Sequence, residues 1–209
     1  METVPHRRHA DLSPPPGTAS WRLPHTPREL FDALPPLPGL RAEVIDGRLV
    51  VSPLGTPEYA RAAMLLFAAL RQPIADGDLN AYTGNVVVRV DGSRDPVVPD
   101  FVLAPADCPR RGARELPSSG LLMVAEIVSP GSTVDDRDRK PAIYASGGVP
   151  VMLLIDPVAA PATVTVLSDP KEGGYRTSAR VEMGSRLHLP EPVGFTLDTS
   201  IFAGIPTTP

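Results

Sequence analysis

The sequence of 209 residues predicts a mixed α/β or α+β domain built on a β-sheet. Three observations support this. Strand-like runs alternate along the chain with segments of helical spacing. Two runs, Leu121–Val128 and Val151–Ile155, are apolar almost throughout, as in strands buried on both faces. Hydrophobic residues make up 42% and charged residues 21%, near the globular averages of roughly 45–50% and 25%, so a packed core is within reach. Proline is the outlier at 27 residues, and aromatics are scarce at 5%, which leaves Val, Leu, Ile and Ala to fill the interior.

Residues 1–24 are rich in Pro and Arg without apolar periodicity, and read as a flexible arm that would not hold His6 and His9 as metal ligands. A single domain is expected over residues 25–205. Thr26-Pro27-Arg28-Glu29 is a helix start, with Thr26 as cap, Pro27 in the first turn and Glu29 closing a capping box. Prolines 35, 36 and 38 end that helix. Ala42–Ser52 alternates around Asp46-Gly47, a dipeptide suited to a tight hairpin. A second helix opens at Thr56-Pro57-Glu58 and runs to about Arg71. Val86–Val90 and Val97–Leu103 read as strands, and residues 104–119 as a polar loop. Leu121–Val128 is a central strand, and Ser132–Ser146 a helix capped by Ser132 and complicated by Pro141. Val151–Ile155 and Thr163–Leu167 are further strands, and Tyr175–Phe202 gives weaker strand signals.

Composition removes several functional classes. No apolar run approaches the ~20 residues needed to span a bilayer, and no segment has signal-peptide character. The lone Cys108 fits a reducing cytoplasm. A net charge of −4 lacks the basic signature of bulk nucleic-acid coating, but allows a nucleic-acid enzyme whose basic residues are local. There is no phosphate-binding Gly-rich loop, dinucleotide fingerprint or Cys cluster, and His25 and His188 stand alone.

Carboxylates remain. Asp100 lies inside the run Val97–Leu103 and Glu126 inside Leu121–Val128. Burying such a charge is costly unless it is paired or opens onto a cleft. Glu43, on the first hairpin, is a milder third case. Carboxylates converging from strands suit a hard cation, Mg²⁺ or Mn²⁺ rather than zinc. Lys140, next to Pro141, belongs at a helix junction, and a solvated surface lysine is its bland alternative. Asp135, Asp136 and Asp138 read as a solvated helix start, Tyr144 as core, Ser129 as a turn residue and Asp156 as a strand end.

Four pieces in order carry a family resemblance: Glu43–Val50, Val98-Pro99-Asp100, Val124–Pro130, and Arg139–Ala145 through Gly148-Val149-Pro150 to Asp156. Over about residues 26–203 the chain resembles the Uma-two type of restriction endonuclease, within the PD-(D/E)xK nuclease superfamily. The resemblance implies a restriction-endonuclease-like core, a mixed sheet flanked by helices, here with extra hairpins. It implies that Asp100 and Glu126 bind Mg²⁺ and that Lys140 orients or activates water, with Glu43 matching a further acid near the site. The superfamily's usual Lys position is Val128 here, and Lys140 on the following helix takes its place. Tyr59 stands where relatives often carry His, and Val151-Met152 where they often carry an aromatic pair. The expected function is metal-dependent endonucleolytic hydrolysis of nucleic acid, DNA favoured, by a cytoplasmic homodimer without membrane contact. The rival is a catalytically silent interaction module on the same fold. A small-molecule hydrolase is disfavoured because no nucleophile–base pair is visible.

Overall fold

The computed structural model describes residues 23–84, 86–112 and 114–205. The arm expected over 1–24 therefore lies outside the described residues, apart from its last two. The chain first forms α1 (Pro27–Ala33), the hairpin β1 (Leu40–Ile45) and β2 (Arg48–Pro53), then α2 (Pro57–Ala69) and α3 (Arg71–Asp76). Strands β3 (Leu79–Thr83), β4 (Val87–Arg89), β5 (Pro96–Val97), β6 (Phe101–Pro105), β7 (Glu115–Pro117) and β8 (Met123–Ile127) follow. Helix α4 (Lys140–Ser146) precedes β9 (Val151–Asp156), β10 (Thr163–Lys171), β11 (Gly174–Glu182), β12 (Arg186–Leu189) and β13 (Phe195–Asp198).

Six strands form the central sheet in the order β11-β10-β9-β8-β6-β3, with only β8 and β9 parallel. Every residue of β8 and β9 is buried, as their almost wholly apolar runs predict, Glu126 and Asp156 included. Alternation along β8 sends Met123, Ala125 and Ile127 to one core and Val124 to the other. The first core is closed by Ala62, Ala63 and Leu66 of α2 and by Leu187, Leu189 and Leu197 of the β12–β13 hairpin. The second is closed by Tyr144 of α4 and by Val88, Val97 and Leu116 of the small β5-β4-β7 sheet. Glu126 projects to this second side, between Val124 and Val128.

The α1 capping box forms as expected: Thr26 Oγ1 accepts the Glu29 N–H at 3.1 Å, and Glu29 Oε2 accepts the Thr26 N–H at 3.2 Å. Asp46 and Gly47 turn the first hairpin with φ of 48° and 67°, the double left-handed turn that favours Asp-Gly. Several boundaries differ from expectation. The strand expected over Val97–Leu103 is split at Pro99-Asp100, because Pro99 cannot donate to a ladder. The second helix breaks at Leu70, and α3 continues beyond it. Loop 104–119 contains β7, a three-residue strand paired in parallel with β4. Among the described residues, no helix is long and apolar enough to cross a membrane.

Candidate active site

Glu43, Glu126 and Lys140 meet in the interior, and Asp100 joins them at the mouth of a cleft of about 340 Å³. Glu43 comes from β1, opposite Val50 of β2, so the hairpin lays this acid over the end of the central sheet. Asp100 sits at the break before β6. Its N–H donates to Ala125 O at 3.1 Å and its Oδ2 accepts the Ile127 N–H at 2.8 Å. Both bonds fasten it to β8, the strand that carries Glu126.

Lys140 arrives by an unusual backbone turn. Asp135–Arg139 form a wide π-helical turn in which the Lys140 N–H donates to Asp135 O, five residues back. Pro141, which has no N–H, lies in the first turn of α4 immediately after it. The turn places Asp136 and Lys140 on the same inward side, with Nζ 3.1 Å from Asp136 Oδ1. Nζ is also 3.0 Å from Glu126 Oε1 and 3.3 Å from Glu43 Oε1. Lys140, 1% exposed, is not the solvated surface lysine of the bland alternative, and one expectation is corrected, since Asp136, likewise 1% exposed, is not part of a solvated helix start. Ser132 does not cap a helix through its side chain; its hydroxyl accepts the Ser129 N–H at 3.0 Å and shapes the turn below the cleft.

Three partners carried too weak a signal in the sequence. Arg41, two residues before Glu43 on the same face of β1, places Nη1 3.0 Å from Asp100 Oδ1 and Nε 3.4 Å from Glu43 Oε2. The i, i+4 spacing of Asp136 and Lys140 was the available clue to that pair. Tyr144, expected as core, is fully buried and also donates its hydroxyl to Glu126 Oε1 at 2.5 Å. Asp156 does end its strand, and it pairs with Arg137 through contacts of 2.8 and 2.9 Å outside the cluster.

The electrostatics are unbalanced. Four acids, Glu43, Asp100, Glu126 and Asp136, face two cations, Arg41 and Lys140, so the acids outnumber the bases by two. Burial pushes Glu126 well above its ordinary range. Lys140 pulls it down, but Asp136, Asp100 and Glu43 add to the rise. Asp136 is raised as well, chiefly by burial. Burial would lower Lys140, yet Glu126, Glu43 and Asp136 outweigh it, and the ammonium keeps its proton well above the usual range. The Tyr144 phenol is raised by burial and by Glu126, so it stays a neutral donor.

A divalent cation fits this donor set. Among the described residues Glu126 Oε2 is buried without a hydrogen-bond partner, while Asp100 is 24% exposed at the cleft. No group of three or more His, Cys, Asp or Glu forms a ready-made cage among the described residues. Mg²⁺ needs none, because it commonly takes one or two carboxylates and completes its shell with water and substrate phosphate.

Known proteins share this architecture. The fold is similar to that of a crystal structure from Anabaena variabilis described as "a putative nuclease belonging to DUF820". The two share 17% identity over 86% of this chain and 97% of that one, with a TM-score of 0.64. The architecture is thus the restriction-endonuclease-like fold. No curated protein matches the chain. The sequence profile of Uma2, described as "Putative restriction endonuclease", matches residues 28–200, and the chain belongs to that nuclease family.

Proposed function

We propose that the protein is a Mg²⁺-dependent endonuclease that hydrolyses phosphodiester bonds of DNA, with Asp100 and Glu126 as the metal-holding acids. The observation that carries this is the cluster itself, in which Asp100 and Lys140 line one cleft, Glu126 is buried behind it at 3.0 Å from Lys140 Nζ, and the acids outnumber the bases. Such a cluster does little for folding, since a buried ion network is often no more stable than an apolar replacement. When bound, the cation would supply an activated water and offset charge on a phosphoryl oxygen, and Mn²⁺ could serve in its place.

The chain's own residues do the rest. Lys140 keeps its proton, so it acts as a cation and hydrogen-bond donor rather than as a base. Its ammonium lies within 3.3 Å of three carboxyl groups, so its charge holds Glu43, Glu126 and Asp136 together. Glu43 accepts the Val98 N–H at 2.8 Å, which braces the loop carrying Asp100. Tyr144 orients Glu126 by fixing Oε1.

Plasmid cleavage with Mg²⁺ or Mn²⁺ tests the proposal. Wild type should nick or linearise the plasmid, and Glu126→Gln should not. A folded wild type that cuts no DNA or RNA with either metal would make the silent module the better account. Cutting both strands of a duplex commonly takes two sites, so we also propose a cytoplasmic twofold homodimer. Light scattering at micromolar concentration should then show twice the 22.2 kDa chain mass, and a monomer throughout would exclude the dimer.

A further inference from the structure

Both cations of the site are already engaged, Lys140 with three carboxylates and Arg41 with Asp100 and Glu43. A polyanionic strand therefore needs cations elsewhere, and the net charge of −4 makes their placement decisive. One surface supplies them. Arg41 lines both the cleft and an adjoining cavity of about 620 Å³, whose wall runs past Phe31, Leu37 and Val98 to Arg114 and Glu115. Arg114 and Glu115 also line a third, shallow cavity of about 500 Å³, together with Arg89 and Arg111. Arg41 is shared by the first two hollows, and Arg114 and Glu115 by the last two, so the three lie side by side as a trough from the carboxylates to the arginines.

The far end is anchored by backbone. The Arg111 N–H donates to Glu115 O at 2.9 Å, and the Val87 N–H donates to Arg114 O at 3.3 Å. Strand β7 thus ties the two arginines to β4. Glu115, the acid in this hollow, is met by Arg28 at 2.6 Å and by Arg89 at 3.7 Å. Asp91 also feels Arg111, but among the described residues neither Arg111 nor Arg114 has a carboxylate at ion-pair distance. Both side chains are exposed.

We propose that this trough carries the DNA backbone flanking the scissile bond, with Arg111 and Arg114 as phosphate contacts. Guanidinium forks match phosphate oxygens, the apolar residues of the middle wall suit the faces of sugars, and Asp32 of that wall is paired with Arg28 at 2.9 Å. The proposal rests on the nuclease reading, but it can be tested apart from hydrolysis. Fluorescence anisotropy with a labelled 30-base-pair duplex in EDTA measures binding without turnover. The double variant Arg111→Glu/Arg114→Glu should bind about tenfold or more weakly, with the slope of log K against log salt reduced by about 2, near 0.9 for each lost phosphate contact. The control Arg176→Glu/Arg186→Glu, an equal charge change at exposed positions of β11 and β12, should stay within about threefold of wild type. Equal losses in both pairs, no loss in the first, or no wild-type binding at low salt would overturn the trough. If the first pair alone loses binding but Mg²⁺ yields no cleavage by wild type, the hydrolytic reading fails and the trough stands.

Discussion

Lys140 is where the physical consequence is largest. A surface lysine could be removed for about 0.5 kcal/mol. This one touches three buried carboxylates, so Lys140→Ala would leave them with Arg41 as sole counter-ion. Breaking a buried ion pair from one side costs about 3–5 kcal/mol. Lys140→Ala should therefore lower the melting temperature markedly as well as remove cleavage. Glu126→Gln, which removes one of the surplus acids and keeps the shape, should melt at or above wild type. Calorimetry on the two variants decides it, and an unchanged melting point for Lys140→Ala would refute the buried cluster. Glu126 also sets a pH dependence. Burial, reinforced by Asp136, Asp100 and Glu43, raises it well above the ordinary 4.5, so the folded chain holds a proton that the unfolded chain has released. Unfolded protein then binds fewer protons, and this group's contribution to stability declines as pH climbs from 4.5 through its folded value. Melts in EDTA between about pH 5 and 8 should show wild type losing stability relative to Glu126→Gln as pH rises. A gap that stays constant would mean that Glu126 is ionised in the metal-free fold.

Among the elements, the first hairpin and the π turn assemble the site, and they differ in how far the sequence announced them. The hairpin was legible because Asp46-Gly47 sits between alternating segments, and both turn residues do take positive φ. Gly47→Ala places a Cβ at φ 67° with nothing within 4 Å of it, so the penalty is conformational rather than steric crowding. That conformation costs about 1–2 kcal/mol for an L-residue. Denaturant titration should give a loss of that size. Metal affinity should fall as well, because β1 carries Glu43 and Arg41. No change in either quantity would show that the hairpin does not position the cluster. Strands β8 and β9 were equally legible, since a short, almost wholly apolar run suits a strand covered on both faces. Strand β7 was not. Glu115-Leu116-Pro117 is too short to show a period, and its partner β4 lies far off in sequence. The inward turn of Asp136 was hidden for a related reason. Three acids crowd Asp135–Asp138, and only the wider turn ahead of Pro141 selects the one that faces Lys140. Arg41 looked like any strand arginine until the fold brought Asp100 to it.

At the scale of the whole molecule, the surplus of acids predicts that folding and metal binding are coupled. The folded chain concentrates four carboxylates that the unfolded chain disperses, so a divalent cation should bind the native state far better than the unfolded one. Free metal at a hundred times its dissociation constant stabilises the native state by about 2.7 kcal/mol. For a chain of 150–250 residues each kcal/mol moves the midpoint by about 2–4 °C, so saturation with Mg²⁺ should raise it by roughly 5–11 °C. The rise should grow as pH climbs, because the cation then has less of a proton to displace from Glu126. Asp100→Asn and Glu126→Gln should each lose most of it, whereas Asp156→Asn, whose side chain is paired with Arg137 outside the cluster, should keep the metal-dependent rise even if its own baseline falls. Scanning calorimetry of the four proteins with and without Mg²⁺ separates a specific site from general ionic stabilisation. If all four gain equally, the cation does not sit on Asp100 and Glu126.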